Sequence, residues 1–544
     1  MSDSDKFTKT DNDGNEYDPL DMHNYSMEKL PERKKSPVEQ WMAIIGAPLA
    51  VITFIAVAFF IEIPYLTNVG VDALQSEEAI AVYEDIGSDG FQRNNHFMLA
   101  IFLGAIILWI TAAIPNYQVS LILIIGLVLT GVLPEEEAYA QLGHRIMWLN
   151  IMSFVLASML VVTGVAKRFA LWFILKFGKN ASMIFISFIV INTVLSAFIS
   201  ATTAKAAILL PIFMVIAAIY GADGGENKTN FGRSIVLQNL LNINLGAGAF
   251  VTGSGANLLA AALISGAIDG EIFFADWMIA MFPTMVGMMF IGYIVAMKIF
   301  FPLQPNEQVP QIEGGMDRLR EEYNKLGEID YQEIKTIVIF SAILLLWASD
   351  RYHGVSATAI AFVGAIISLL PRVGIVTWND VDIPWHLMLF SAGAYTLGAG
   401  FNNTDLPSLS VNAFFDGLGI GYETDFWVLY MLMTGVMCFS ALVFQSKTMR
   451  TMLFIPVAIG IAQRFDFDVV ALALPTAFMI EYVWVLYFNS KPAALLYETD
   501  RYTLRDAFTF GITMMVIGYF LNIVLGETFY RFLGITPDGV FGLF

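Results

Sequence analysis

Apolar stretches succeed one another along nearly the whole chain, at about 42–65, 97–116, 118–133, 148–166, 182–221, 234–268, 277–301, 334–349, 355–372, 383–402, 426–466, 467–500 and 507–531. A membrane core about 30 Å thick is crossed by a helix of roughly 20 residues. Most of these stretches therefore predict single membrane-spanning helices, and two of them, 182–221 and 426–466, have double length. Lys and Arg collect before the first span (Arg33, Lys34, Lys35), after the fourth (Lys167, Arg168, Lys176, Lys179), in the 302–333 loop (Arg318, Arg320, Lys325) and before the last span (Arg501, Arg505). With these segments cytoplasmic, the amino terminus lies inside and the carboxyl terminus outside, provided that each double-length run enters and leaves on one side. Those runs are drawn as re-entrant hairpins among eleven spans.

Composition agrees with the pattern. Hydrophobic residues make up 57% of the 544 and charged residues only 14%, too few for a soluble protein. The net charge of −19 sits mainly outside the bilayer. One acidic stretch, Asp72 to Asp89, follows the first span, and the first 41 residues are polar, without the apolar run of a signal peptide. They are expected to form a disordered cytoplasmic tail. The single Cys438 excludes a disulfide within one chain, and the five His show no metal-ligand spacing. No cofactor or metal is expected, and no nucleic-acid partner. The apolar regions hold no paired carboxylates or Ser/His/Asp set, and no phosphate-binding loop is present, so neither an enzyme nor an ATP-driven pump is indicated.

Both hairpins break at a polar tip. Ser200–Pro211 reads SATTAKAAILLP and Gln445–Pro456 reads QSKTMRTMLFIP. Each sets hydroxyl residues and a cation in an apolar surround, where a charge costs roughly 2.5–3.5 kcal/mol on insertion scales. Lys205, Lys447 and Arg450 are candidates for function on that ground, with Thr202, Thr203, Ser446 and Thr448 beside them. The span after each hairpin is interrupted too. Val251–Asn257 (VTGSGAN) is too Gly-rich for a continuous helix, and Phe488–Pro492 (FNSKP) contains a helix-breaking Pro492 next to Lys491. Non-helical backbone at this depth is tolerated where it lines a cavity. Half-helix amino ends there attract an anion. Asn257, Lys491 and Pro492 join the candidate substrate-binding residues, and Glu481, in an apolar surround, is a proton-coupling candidate. One hairpin enters from each side, so the halves are inverted repeats.

The predicted organisation is a tail (1–41), a first span with an acidic external loop (42–96), repeat 1 (97–301, hairpin 182–221, broken span 234–268), a cytoplasmic connector (302–333) and repeat 2 (334–544, hairpin 426–466, broken span 467–500). From about Phe97 to Gly534 the chain resembles the divalent anion/sodium symporter family, carriers of dicarboxylates, citrate or sulfate. Leu108–Pro115 (LWITAAIP) is similar to that family's LWxTEAIP segment. Leu133–Ala138, Phe274–Trp277, Trp378–Trp385 and Leu389–Gly393 follow in the family's order. The resemblance implies an all-α elevator-type carrier that works as a homodimer in the plasma (inner) membrane.

The tips depart from the family pattern. Where the family has Ser-Asn-Thr, counting back from each Pro gives Ala201-Thr202-Thr203 and Ser446-Lys447-Thr448. The fifth position is Lys205 in one repeat and Arg450 in the other. Asn257 matches one family Asn, whereas Ala493 stands where the second would be. Lys offers donors and a charge but no acceptor, so Lys447 would repel sodium or replace it. The expected function is secondary transport of small divalent organic anions (di- or tricarboxylates) by sodium-independent exchange, with fixed Lys and Arg in place of sodium. The alternatives are sodium- or proton-coupled symport of dicarboxylate or sulfate, oxyanion efflux, and an anion sensor or channel.

Overall fold

The computed structural model describes residues 9–10, 16–25, 37–67, 69–222, 224–225, 228–268, 270–421, 424–444 and 446–539. Most of the predicted disordered tail and Gln445 lie outside the described residues. Among these, eight helices are long and apolar enough to cross a membrane, and five shorter apolar helices accompany them. A two-residue antiparallel ribbon, Lys9–Thr10 with Glu16–Tyr17, is the extended pairing described.

One group of helices forms a frame. Pro37–Phe59 packs on Glu77–Thr111, Trp385–Thr404 lies against both Glu77–Thr111 and Asn116–Leu129, and Arg145–Thr163 packs on Ala357–Leu369. Pro37–Phe59 leaves Trp41, Ile44, Ile52 and Phe59 exposed. Such an apolar outer face suits lipid, which solvates it as well as a protein core would.

The other group carries the polar interruptions. It begins with α1 (Ala181–Phe198) and α2 (Thr202–Ile219), joined through the tip at 199–201. Next comes an interrupted helix, α3 (Asn230–Gly248) and α4 (Gly255–Gly266), with a short 3-10 turn between them. The second half repeats this order with α5 (Phe426–Phe439) and α6 (Lys447–Arg464), then α7 (Val469–Phe478) and α8 (Lys491–Tyr497). Pro211 and Pro456 lie within α2 and α6 at matching distances from their starts. The two halves interlock: α4 packs on α6 and α7, while α8 packs on α2 and α3. Each interruption is thereby carried to the tip of the opposite helix pair.

Gly253 shows why the α3–α4 break needs glycine. A Cβ there would stand 2.2 Å from the carbonyl oxygen of Ala247, so any other residue would push the turn off the end of α3.

The connector is an amphipathic helix, Gly315–Lys325, with Leu319 buried beneath it. Arg168 anchors its end, donating to Glu333 at 2.6 Å and to the carbonyls of Leu326 and Gly327 at 2.8 Å. At the same end of the molecule a turn at Met22–Tyr25 packs on α2, with Leu20, Met22 and Tyr25 buried, and Asp18 pairs with Arg318 at 3.0 Å.

Candidate functional site

A cavity of about 410 Å³ opens between the two groups of helices. Its inner wall is made of helix amino ends: Thr202 and Thr203 of α2, Ser254–Ala256 at the start of α4, Ser446–Thr448 at the start of α6 and Ser490–Pro492 at the start of α8. The frame contributes Pro115, Asn116, Tyr117, Asn150, His386 and Ser391. Three helices of twelve or more residues thus aim the positive ends of their dipoles at one space. Converging N–H groups and hydroxyls favour negative charge in this space.

Local chemistry explains these helix starts. Ser254, Ser446 and Ser490 are N-caps whose side chains accept from the backbone N–H three residues on, at Asn257, Met449 and Ala493. The cap of α6 is Ser446 and not Thr448, and α2 has no side-chain cap at Ala201. The hydroxyls of Thr203 and Thr448 are therefore not committed to capping.

Of the residues singled out by sequence, Thr202, Thr203, Ser446, Lys447, Thr448, Lys491 and Pro492 line the cavity. Lys491 stands at its exposed mouth, with Nζ 3.4 Å from His386 Nε2. Lys205, Asn257, Arg450 and Glu481 lie behind the wall, each 0–1% exposed. Asn257 donates to the carbonyls of Ala247 at 3.0 Å and Phe250 at 3.2 Å, so it ties the α3–α4 break together.

Lys205 and Arg450 hold equivalent places behind their tips. Lys205 Nζ donates to Ser196 Oγ at 2.7 Å and to the carbonyl of Ile243, near the end of α3, at 3.3 Å. Arg450 donates to Ser440 Oγ at 2.9 Å and to the carbonyls of Ile480 at 3.1 Å and Met479 at 3.4 Å, just past the end of α7, and to that of Met437 in α5. In both cases the cation joins a hydroxyl at the end of the incoming helix to carbonyls on the interrupted one. Satisfied donors and oxygen acceptors of this kind are what a buried charge needs. Lys447 differs, since it reaches the cavity and also pairs with Glu481 at 2.7 Å.

Asn150 went unnoticed in the sequence because a lone Asn in an apolar span carries no pattern. It is 2% exposed, lines the cavity, and its Nδ2 has no partner among the described residues. Ser200 Oγ is likewise buried at the cavity without a partner. A buried donor with no partner is costly, and a bound anion would relieve it.

Known proteins resemble this chain over most of its length. A "Membrane protein" of Cupriavidus necator is 23% identical over 458 residues, covering 80% of this chain and 87% of that protein. The "Sodium-dependent dicarboxylate transporter SdcS" of Staphylococcus saprophyticus is 24% identical, covering 80% and 85%. "Dicarboxylate transporter 1, chloroplastic" of Arabidopsis thaliana is 23% identical, covering 82% and 80%. The family model described as the sodium:sulfate symporter transmembrane region matches residues 87–536. The chain belongs to this family and is a multi-pass membrane transporter, not an enzyme.

Proposed function

We propose that the protein exchanges small divalent organic anions, di- or tricarboxylates, across its membrane without sodium. The observation that carries this is the seating of Arg450 on the carbonyls that follow α7, the type of ligand that holds a coupling cation in carriers with broken helices, with Lys205 at the equivalent place on the Ile243 carbonyl within α3. A tethered ammonium or guanidinium there repels a second cation at close range. Positive charge is then built into the site, and the empty carrier crosses less readily than the loaded one. Exchange follows from that asymmetry.

The substrate carboxylates are assigned to Thr202, Thr203, Ser446, Lys447, Thr448, Lys491 and Pro492, with Asn150 as a further donor. Lys205, Asn257 and Arg450 act from behind, through charge and by holding the breaks. Relatives named as dicarboxylate transporters support this substrate class. The α1–α2 and α5–α6 pairs are re-entrant hairpins of two inverted repeats, and with the interrupted helices they move as an elevator against the frame of a homodimer. With the amino terminus cytoplasmic, the cavity mouth at Pro115, His386 and Lys491 faces the cytoplasm. Plasma-membrane residence accords with this orientation.

Uptake of labelled succinate by proteoliposomes tests the proposal. Uptake is expected only into vesicles preloaded with succinate, at equal rates in sodium and choline buffers. Accumulation in empty vesicles driven by a sodium gradient refutes it.

A further inference from the structure

Glu481 stands in the unwound stretch between α7 and α8, 1% exposed, and the exchange proposed above assigns it no part. One carboxylate oxygen accepts from Lys447 Nζ at 2.7 Å and the other from Ser254 Oγ at 2.5 Å. Ser254 Oγ itself accepts from the Asn257 N–H at 3.4 Å, which leaves its own proton for Glu481. Both oxygens of Glu481 thus act as acceptors, the pattern of an ionised carboxylate.

Charged and titratable groups reach it from several elements. Lys447 and Arg450 come from α6 and Lys205 from α2, with Cys438 of α5 beside Arg450. On the remaining sides α4 presents the Ser254 hydroxyl, and α3 presents Gly248, which has no side chain to intervene. Among the described residues, Lys205, Lys447 and Arg450 surround this one carboxylate, and Lys491 adds a further cation at the cavity mouth.

Lys205 and Arg450 are tied to oxygen acceptors behind the wall. Glu481 is the carboxylate among them, and it meets the cavity through Lys447. In a low-dielectric interior an unmatched unit charge a few Å from others outweighs most differences in shape between small acids. Removing the charge of Glu481 makes the site more positive by one unit and so better matched to an anion carrying one more negative charge.

We propose that Glu481 sets the charge class of the transported anion: ionised, it matches the site to a dianion, and without its charge the site favours a trianion. This inference rests on the anion-exchange function proposed above.

The test uses full-length protein in proteoliposomes at pH 8, with labelled succinate exchanging against internal succinate and unlabelled succinate or citrate trianion as competitors. Wild type should prefer succinate by at least about tenfold, and Glu481→Gln should move the ratio toward citrate by at least about tenfold. Glu481→Asp keeps the charge and should keep the wild-type ratio. Lys447→Gln combined with Glu481→Gln removes one charge of each sign, restores the wild-type net charge and should return the preference to the dianion. The inference is overturned if Glu481→Gln leaves the ratio within about twofold of wild type, or if Glu481→Asp shifts it as Gln does. Should Glu481→Gln fail to fold, wild type still decides, because wild type taking citrate trianion as well as succinate overturns the inference. Sodium-driven uptake into empty vesicles would instead sink the exchange reading, whatever the ratio.

Discussion

Replacing Arg450 by Ser should both weaken the fold and open a cation site. The guanidinium is fully buried and donates to Ser440 Oγ and to the carbonyls of Ile480, Met479 and Met437. Serine removes every one of those donors and leaves a space ringed by oxygen atoms. Each buried acceptor without a partner costs about 1–3 kcal/mol. Part of that is offset because a guanidinium no longer has to be stripped of water. A net loss of about 3 kcal/mol is expected. Carbonyls around a vacated charge are suitable ligands for sodium, and an ion that binds only the native state must stabilise it. Cys438 makes the measurement direct. It is the sole cysteine of the chain, fully buried on α5, so its labelling by a thiol-reactive fluorophore during heating reports opening of this region. Arg450→Ser should melt below wild type, and sodium chloride should raise its melting point relative to choline chloride. Wild type should be indifferent to the cation. Wild type stabilised by sodium as strongly as the variant would refute the idea that Arg450 fills a cation site, and a variant melting with wild type would refute its structural weight.

Three further predictions follow from the same geometry. Lys447→Met leaves Glu481 buried without its cation, an uncompensated charge worth about 3–5 kcal/mol, so the Cys438 melting point should drop and adding Glu481→Gln should recover much of it. Asn150→Ala removes a cavity donor that has no protein partner. Succinate affinity in the exchange assay should fall about tenfold, with the melting point nearly unchanged. Asp500 lies in the loop before the last helix, where partial burial pushes its carboxyl up but its pair with Lys228, at 2.5 Å, outweighs this and holds it below the usual range. A carboxyl held low stabilises the fold above its unfolded value of about 4 and loses that contribution as pH falls through its folded value. Asp500→Asn should therefore melt slightly below wild type at neutral pH, and the gap should close in acid.

The sequence made the polar tips legible because intramembrane charge is rare enough to stand out. It also located the α3–α4 break, where Gly253 and Ser254 interrupt an apolar run; for the second break it marked Phe488–Pro492, whereas the chain leaves α7 already at Met479 and Pro492 stands in the first turn of α8. What each polar side chain does there was harder to see. Lys205 and Lys447 look alike in the sequence, both near the start of a return helix, yet Lys205 turns back to Ser196 and Ile243 while Lys447 reaches Glu481 and the cavity. The difference is set by Glu481, which the unwound stretch between α7 and α8 carries to Lys447. Ser254 of the first half meets Glu481 of the second across 227 positions, a contact that no local spacing announces.

Hydrophobic pattern and composition alone determined that this chain is a helical membrane protein with two polar devices inside it. The reason is energetic: only a chain with long apolar runs dissolves in lipid, and only a function explains cations retained there. Tertiary structure decided how those cations are used. Interlocking of the two halves brings α4 to α6 and α8 to α2, so helix amino ends converge on one cavity and Ser254 meets Glu481 across 227 positions. Within each half, packing of the hairpin on the interrupted helix sets the Ile243 carbonyl beside Lys205 and the Met479 and Ile480 carbonyls beside Arg450. Their positions depend on packing, which sequence spacing does not encode.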